Sequence, residues 1–231
     1  SCFNNLNSNE KIKEGERISN RNFKHLLDIC NTLKPRYIFP FAGEYVLGGN
    51  QYNKNKFLGT STLDECYNFL KRNLNSGTEA IQLNEKTSFD IKIGKSSSKY
   101  SPTNIFSMNK YISEVLSKIK YPYESDPYPS IPMLLENIQT AKDSMNNRMK
   151  NFEIKSKTNV YLNVEDNNIK ILDGHDSSTK LFCKMDLRLL RRILDRKSYW
   201  NNAEIGCHID FFREPNTYDY DAHTALQFFH L

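Results

Sequence analysis

Over residues 10–33 the apolar side chains Ile12, Ile18, Phe23, Leu26, Leu27, Ile29 and Leu33 recur at helical spacing among charges. That period predicts an amphipathic helix, which Pro35 stops. Residues 37–41 then read as a buried strand, and Val46-Leu47-Gly48-Gly49-Asn50 as a turn. Thr62-Leu63-Asp64-Glu65 has the form of a capping box, in which a hydroxyl and a carboxylate answer each other's backbone amides, so a helix is expected from there through Leu74. Short alternating runs at 80–83 and 89–93 predict two strands flanking the polar turn 84–87. Helices follow at 105–119 and 132–152. Pro122, Pro127 and Pro129 keep the joint between them irregular, and Tyr121, Tyr123 and Tyr128 mark it as a loop that lies against other structure.

Alternation returns at 159–164 and 169–172, separated by Glu165-Asp166-Asn167-Asn168, and predicts a hairpin. Residues 180–185 read as a further strand, and Asp186 as the N-cap of a helix over 187–194. A strand over 207–212 and a terminal helix close the chain. The pattern divides into 1–74, a helix, strand, loop and helix of layered α/β character; 75–157, connecting strands and helices; and 158–231, an α+β unit.

With 231 residues, 38% of them apolar and 12% aromatic, the chain has enough material for one large domain or two small ones. No stretch approaches the roughly 18 to 20 apolar residues of a membrane span, and residues 1–20 lack the order of a signal peptide, so a cytoplasmic location is expected. The net charge of +5 is spread along the chain. Its densest cluster, Arg188, Arg191, Arg192, Arg196 and Lys197, faces away from an apolar stripe and has no interleaved aromatic residue, which favours a solvated helix face over a nucleic-acid patch. Cys2, Cys30, Cys66, Cys183 and Cys207 are odd in number and widely spaced, a usage that fits reduced thiols rather than a disulfide framework or a zinc site.

Chemistry has few candidates. His25 lies among Phe23, Leu26 and Leu27 and reads as a helix residue; His175, in Asp173-Gly174-His175-Asp176, reads as a loop tip. On a strand over 207–212, His208 and Asp210 share one face and Cys207, Ile209 and Phe211 the other, which excludes a local Cys-His pair. Trp200 with Asn201, Asn202 and Glu204 is either a core anchor or a polar-aromatic patch. The loop Phe41-Ala42-Gly43-Glu44-Tyr45 is the stronger candidate: glycine permits close backbone approach, and Glu44 and Tyr45 can hydrogen-bond a substrate or a group that supports a ligand. Its alternative is a packed structural turn.

The helix, the strand Pro35-Arg36-Tyr37-Ile38-Phe39 and the Pro40-Phe41-Ala42-Gly43 loop together resemble the part of the metallo-β-lactamase superfamily that follows its metal-binding motifs. Within that superfamily, residues 1–72 are similar to the sugar-nucleotide hydroxylase branch, and Ser1-Cys2-Phe3 looks like part of its Phe-Pro-x-Cys-Phe segment. Leu189-Leu190-Arg191-Arg192-Ile193-Leu194, Trp200-Asn201-Asn202-Ala203-Glu204-Ile205-Gly206 and Arg213-x-Pro215 resemble the closing segment of bacterial proteins with this domain. The resemblance implies the C-terminal half of an αββα sandwich followed by an α+β domain. It also implies a fragment of a metal-dependent hydrolase or oxygenase acting on a sugar-nucleotide or phosphorylated small molecule. Gly43, Glu44 and Tyr45 would then lie on the substrate side or behind the metal ligands.

The superfamily's His-x-His-x-Asp-His motif is absent, and no histidine falls between His25 and His175, where related folds place a ligand after the late strand. Zinc or iron is therefore expected in a parent protein and no cofactor in this chain, whose partner would be the missing N-terminal half of its own domain. Alone, the chain is expected to be inactive. In the hydroxylase branch a separate Rieske domain supplies electrons, and this chain has no Cys-x-His pair to hold such a cluster. The alternative is a non-catalytic α+β binding module. It rests on a faint likeness to sterol-carrier-type lipid-binding domains and on the aromatic residues Phe211, Phe212, Phe228 and Phe229.

Overall fold

The computed structural model describes residues 3–41, 44–75 and 77–231. It is a mixed structure of helices and small sheets, divided into two units: one is built from Ser8–Lys118, the other from Cys2–Asn7 together with Ile119–Leu231.

In the first unit, α1 (Ser8–Leu33) is followed by β1 (Tyr37–Ile38), a 3-10 helix (Gly49–Phe57) and α2 (Leu63–Asn73). β2 (Glu79–Ala80) pairs in parallel with β1. β3 (Phe89–Asp90) and β4 (Lys95–Ser96) form a short hairpin, and α3 (Ile105–Glu114) comes last. The helices expected at α1 and α2 form, but α1 turns only part of its apolar positions inward, with Ile12, Ile29 and Leu33 exposed. Cys30 of α1, Leu70 of α2 and Ala80 of β2 form a small core, with Leu26, Ile38, Cys66, Tyr67, Phe69 and Leu74 around it. Phe23 of α1 stacks on Phe69 of α2 at 4.7 Å between ring centroids. At α2 the capping box forms as the sequence predicts. The Thr62 hydroxyl accepts from the Glu65 amide at 3.1 Å, and the Glu65 carboxylate accepts from the Thr62 amide at 2.8 Å. Ahead of α2 the chain crosses α1 closely. A Cβ on Gly59 would lie 2.9 Å from the Gly15 carbonyl oxygen and 2.8 Å from the Ile18 Cβ, so glycine is what the crossing admits.

The second unit is organised by a four-stranded sheet of order β6-β5-β7-β8. α4 (Ile131–Asn151) precedes β5 (Asn159–Val164), β6 (Asn167–Leu172) and β7 (Lys180–Lys184). α5 (Leu187–Leu194), α6 (Trp200–Ile205), β8 (Asp210–Glu214) and α7 (Tyr220–Leu226) complete it. β5 and β6 form the expected hairpin, but its turn is tighter than the sequence suggests. Glu165 and Asp166 both take positive φ, 47° and 64°, the form of a two-residue turn, so β6 starts at Asn167. β5 and β7 run parallel and β7 and β8 antiparallel.

Strand alternation places Val160, Leu162, Ile171, Leu181, Cys183 and Phe211 in the interior. α4 adds Leu134, Ile138, Ala141, Met145 and Met149, one helical stripe. Trp200 is a core anchor, edge-on to Phe229 at 6.0 Å. The opposite face of the sheet carries a row of rings: Tyr161 stacks on Phe182 at 5.1 Å, and Phe182 lies 6.2 Å from Phe212.

Connecting β6 to β7 requires the chain to pass the start of β5, and Asp173-Gly174-His175-Asp176 makes that passage. A Cβ on Gly174 would fall 2.3 Å from the Lys157 carbonyl oxygen. The amides of His175 and Asp176 donate to the carbonyls of Ser156 and Lys157. Asn159 holds the loop from the strand side, its Nδ2 donating to the Asp176 carbonyl at 2.8 Å and its Oδ1 accepting from the Gly174 amide at 3.3 Å. The outer edge of β8 is covered by the start of the chain. Phe3 bridges Phe211 in parallel, the Asn4 amide donates to the Phe211 carbonyl at 2.7 Å, and the Asn5 side chain bonds both backbone groups of Arg213. No helix among the described residues is long and apolar enough to cross a membrane.

Candidate functional site

A cavity of about 680 Å³ opens in the first unit, and β1 and β2 direct the chain into it. Phe39, Pro40, Phe41 and Glu44, just after β1, line one side; Ile81 and Leu83, just after β2, line another. α1 contributes Asn22, Phe23 and Leu26, and Thr60, Ser61, Thr62, Leu63 and Cys66 come from the approach to α2 and its first turns. The cavity therefore sits at the carboxyl ends of two parallel strands, where open parallel sheets place ligands. Its walls are mostly apolar and aromatic, with one carboxylate and three hydroxyls, and the described lining holds no Lys, Arg or His.

Phe39 is braced from behind, edge-on to Phe89 of the hairpin at 5.3 Å, whereas Phe41 is 86% exposed. An exposed ring at the mouth of an apolar cavity suits the flat face of a sugar or base. Beside the cavity, Asp64 accepts from the Gln82 amide at 3.1 Å and from the Tyr100 hydroxyl. Burial, then the hydrogen bond and charge of Asp64, then the charge of Glu44 push the Tyr100 phenol above its ordinary value, and the hydrogen bond with Thr103 offsets part of this. Tyr100 thus remains a neutral donor at physiological pH. Burial also raises the Cys66 thiol, with Cys30 adding to the effect. A thiol with a raised pKa is a weaker nucleophile than a free one, so Cys66 reads as part of the wall and not as an activated nucleophile.

Of the sequence candidates, Glu44 lines this cavity and Tyr45 lines the wall of a smaller neighbouring one. Gly43, like Ser1, Cys2 and Ala42, lies outside the described residues. His25 is exposed on α1. His175 donates through Nδ1 to the Ser156 carbonyl at 2.9 Å as part of the crossing loop. His208 lies edge-on to the stacked rings of Tyr121 and Tyr123, with its Nδ1 3.2 Å from the Tyr123 hydroxyl. Cys207, Ile209 and Phe211 are buried and His208 and Asp210 half-buried, as the alternation predicts. His223, buried on α7 with Nδ1 3.0 Å from Glu204 Oε1, carries no signal in the sequence.

Among the described residues no three His, Cys, Asp or Glu side chains converge as a metal site, so these residues do not fit zinc or iron. Asn22, Thr60, Cys66 and Tyr100 are the site residues the sequence does not reveal. They come from three separate segments, and only tertiary folding brings them together. Comparison of the chain with protein-family models, with curated proteins and with solved structures gives no match.

Proposed function

We propose that this chain supplies the substrate-side wall of a metal-dependent hydrolase or oxygenase of the metallo-β-lactamase superfamily, on the sugar-nucleotide hydroxylase branch. The first unit is then the closing half of an αββα sandwich, and the second is the α+β domain that follows it. The observation that carries the reading is the apolar cavity at the carboxyl ends of β1 and β2, with Glu44 on its rim. The size of the sheet supports it. Each of these parallel strands has two residues, whereas parallel sheets are normally larger and covered on both faces. A segment carrying the metal ligands would extend this sheet and close the cavity. The lining favours the uncharged part of the substrate, a sugar or base, stacked between Phe39 and Phe41 with a hydroxyl directed at Glu44.

Cys66 offers the test. In the chain labelled with N-ethylmaleimide and mapped by peptide mass, a sugar nucleotide bound in the cavity slows modification of Cys66, and Phe39→Ala or Glu44→Gln removes the protection. Absence of protection by every sugar nucleotide and sugar phosphate tried sinks the proposal. So does stoichiometric zinc or iron in the purified chain accompanied by turnover.

A second reading, a non-catalytic module that docks a partner or shelters a lipid, draws on the ring row of Tyr161, Phe182 and Phe212, the last 45% exposed. Phe211 and Phe229, in contrast, are consumed by the core of the second unit. Lipid copurifying with the chain favours this alternative.

A further inference from the structure

The second cavity of the first unit, about 430 Å³, adjoins the first: Thr60 stands in both walls, and the consecutive residues Glu44 and Tyr45 face one each. Its chemistry is different. Tyr45, Tyr52, Asn53, Lys56 and Asn109 bring phenol, amide and ammonium donors to a wall otherwise made by Val46, Leu58, Met108 and Ile112. Positive charge is concentrated beside it, because Lys56 Nζ and Lys11 Nζ lie 5.0 Å and 5.6 Å from the centroid of the same Phe57 ring.

The wall is also braced. Asn55 Oδ1 accepts from the Leu47 amide at 2.7 Å, and its Nδ2 donates to the carbonyls of Leu47 at 2.9 Å and Tyr52 at 2.8 Å. The segment carrying Tyr45 is thereby tied, through Leu47, to the 3-10 helix carrying Lys56, and both line the one cavity.

We infer that this second cavity is an anion subsite, in which Lys56 with Asn53 and Asn109 receives the phosphate or carboxylate of a ligand whose uncharged part occupies the first cavity. The inference rests on the reading of the first cavity for the uncharged part alone. It resolves a mismatch in that reading, since a sugar-nucleotide or phosphorylated substrate needs a cation that the first lining lacks. Glu44 lines one cavity and Lys56 the other, which sets the direction in which such a ligand would lie.

The test is calorimetric titration of the full chain with uridine, uridine 5′-monophosphate and inorganic phosphate. The monophosphate should bind about tenfold more tightly than uridine, as expected for a charge-assisted contact. Lys56→Met should erase that difference while leaving uridine affinity unchanged, and raising salt should weaken only the monophosphate. Lys56-dependent binding of phosphate without any binding of uridine supports the anion subsite and overturns the reading of the first cavity. Equal affinity for uridine and its monophosphate, an advantage that survives Lys56→Met, or no binding of any of the three overturns the subsite.

Discussion

Asp219 shows how much one carboxylate can organise. Its Oδ2 accepts from the amides of Lys157 and Thr158, both at 3.1 Å, and from the hydroxyls of Ser156 and Thr158 at 3.1 Å and 2.8 Å. Its Oδ1 caps α7 by accepting from the amides of Asp221 and Ala222. Burial alone would raise this carboxyl, but the bonds from Thr158, Ala222 and Ser156 outweigh it and hold the group below the usual carboxylate range. A folded-state value below the unfolded one means that Asp219 stabilises the fold above the unfolded pKa of about 3.9. That contribution disappears as pH falls through the lower folded value. Denaturant unfolding between pH 7 and pH 2 should show an acid loss that Asp219→Asn reduces, and identical pH profiles for the two proteins would refute the linkage. Gly174 is the other single point of dependence. A side chain there meets main-chain atoms of Lys157 and Thr158, which lead directly into β5 and cannot step aside. Gly174→Ala should cost about 3 kcal/mol or more in the second unit, read from its unfolding midpoint, whereas a cost under about 1 kcal/mol would mean that the loop has another route.

At the scale of elements, α2 depends on its cap. Thr62→Ala removes the acceptor for the Glu65 amide and should lower the stability of the first unit by about 1 kcal/mol, while Thr62→Ser should restore it. An unchanged midpoint in Thr62→Ala would show that packing alone sets the helix start. Signals of this local kind were the ones legible in the sequence: the capping box, the Asp186 cap on α5, and the extent of α1 and α4 as helices. Less legible was α6, six residues long and preceded by Tyr199, which makes no side-chain cap. Cys207 then takes φ 54°, and the strand read from 207 starts instead at Asp210. The parallel pairing of β5 with β7 was hidden for a different reason, since it depends on the contact between Gly174 and Lys157 and no local pattern encodes that. Of the candidate site, the segment after β1 was legible from its turn residues. The walls from α1, from 60–66 and from 81–83 were not, because apolar periodicity marks what is buried without saying what it faces.

For the whole molecule, the path of the chain matters more than any single contact. The second unit owns Cys2–Asn7 and Ile119–Leu231, and Ser8–Lys118 of the first unit falls between them in the sequence. The Asn5 side chain imitates a strand backbone by donating to the Arg213 carbonyl and accepting from its amide, so that the edge of β8 is not left open. Asn5→Ala should speed hydrogen exchange at the Arg213 amide and lower the second unit's stability by about 1 to 2 kcal/mol. Exchange in the first unit should not change, and an Arg213 amide as protected as before would dismiss this role. The same pairing joins residues 208 positions apart. A ribosome adding roughly 5 to 20 residues per second needs about 10 to 40 s to cover that distance. In the later part of that interval residues 8–118 of the first unit are already made. Phe3, Asn4 and Asn5 meanwhile wait for a strand not yet made, so they find their place long after they are synthesised.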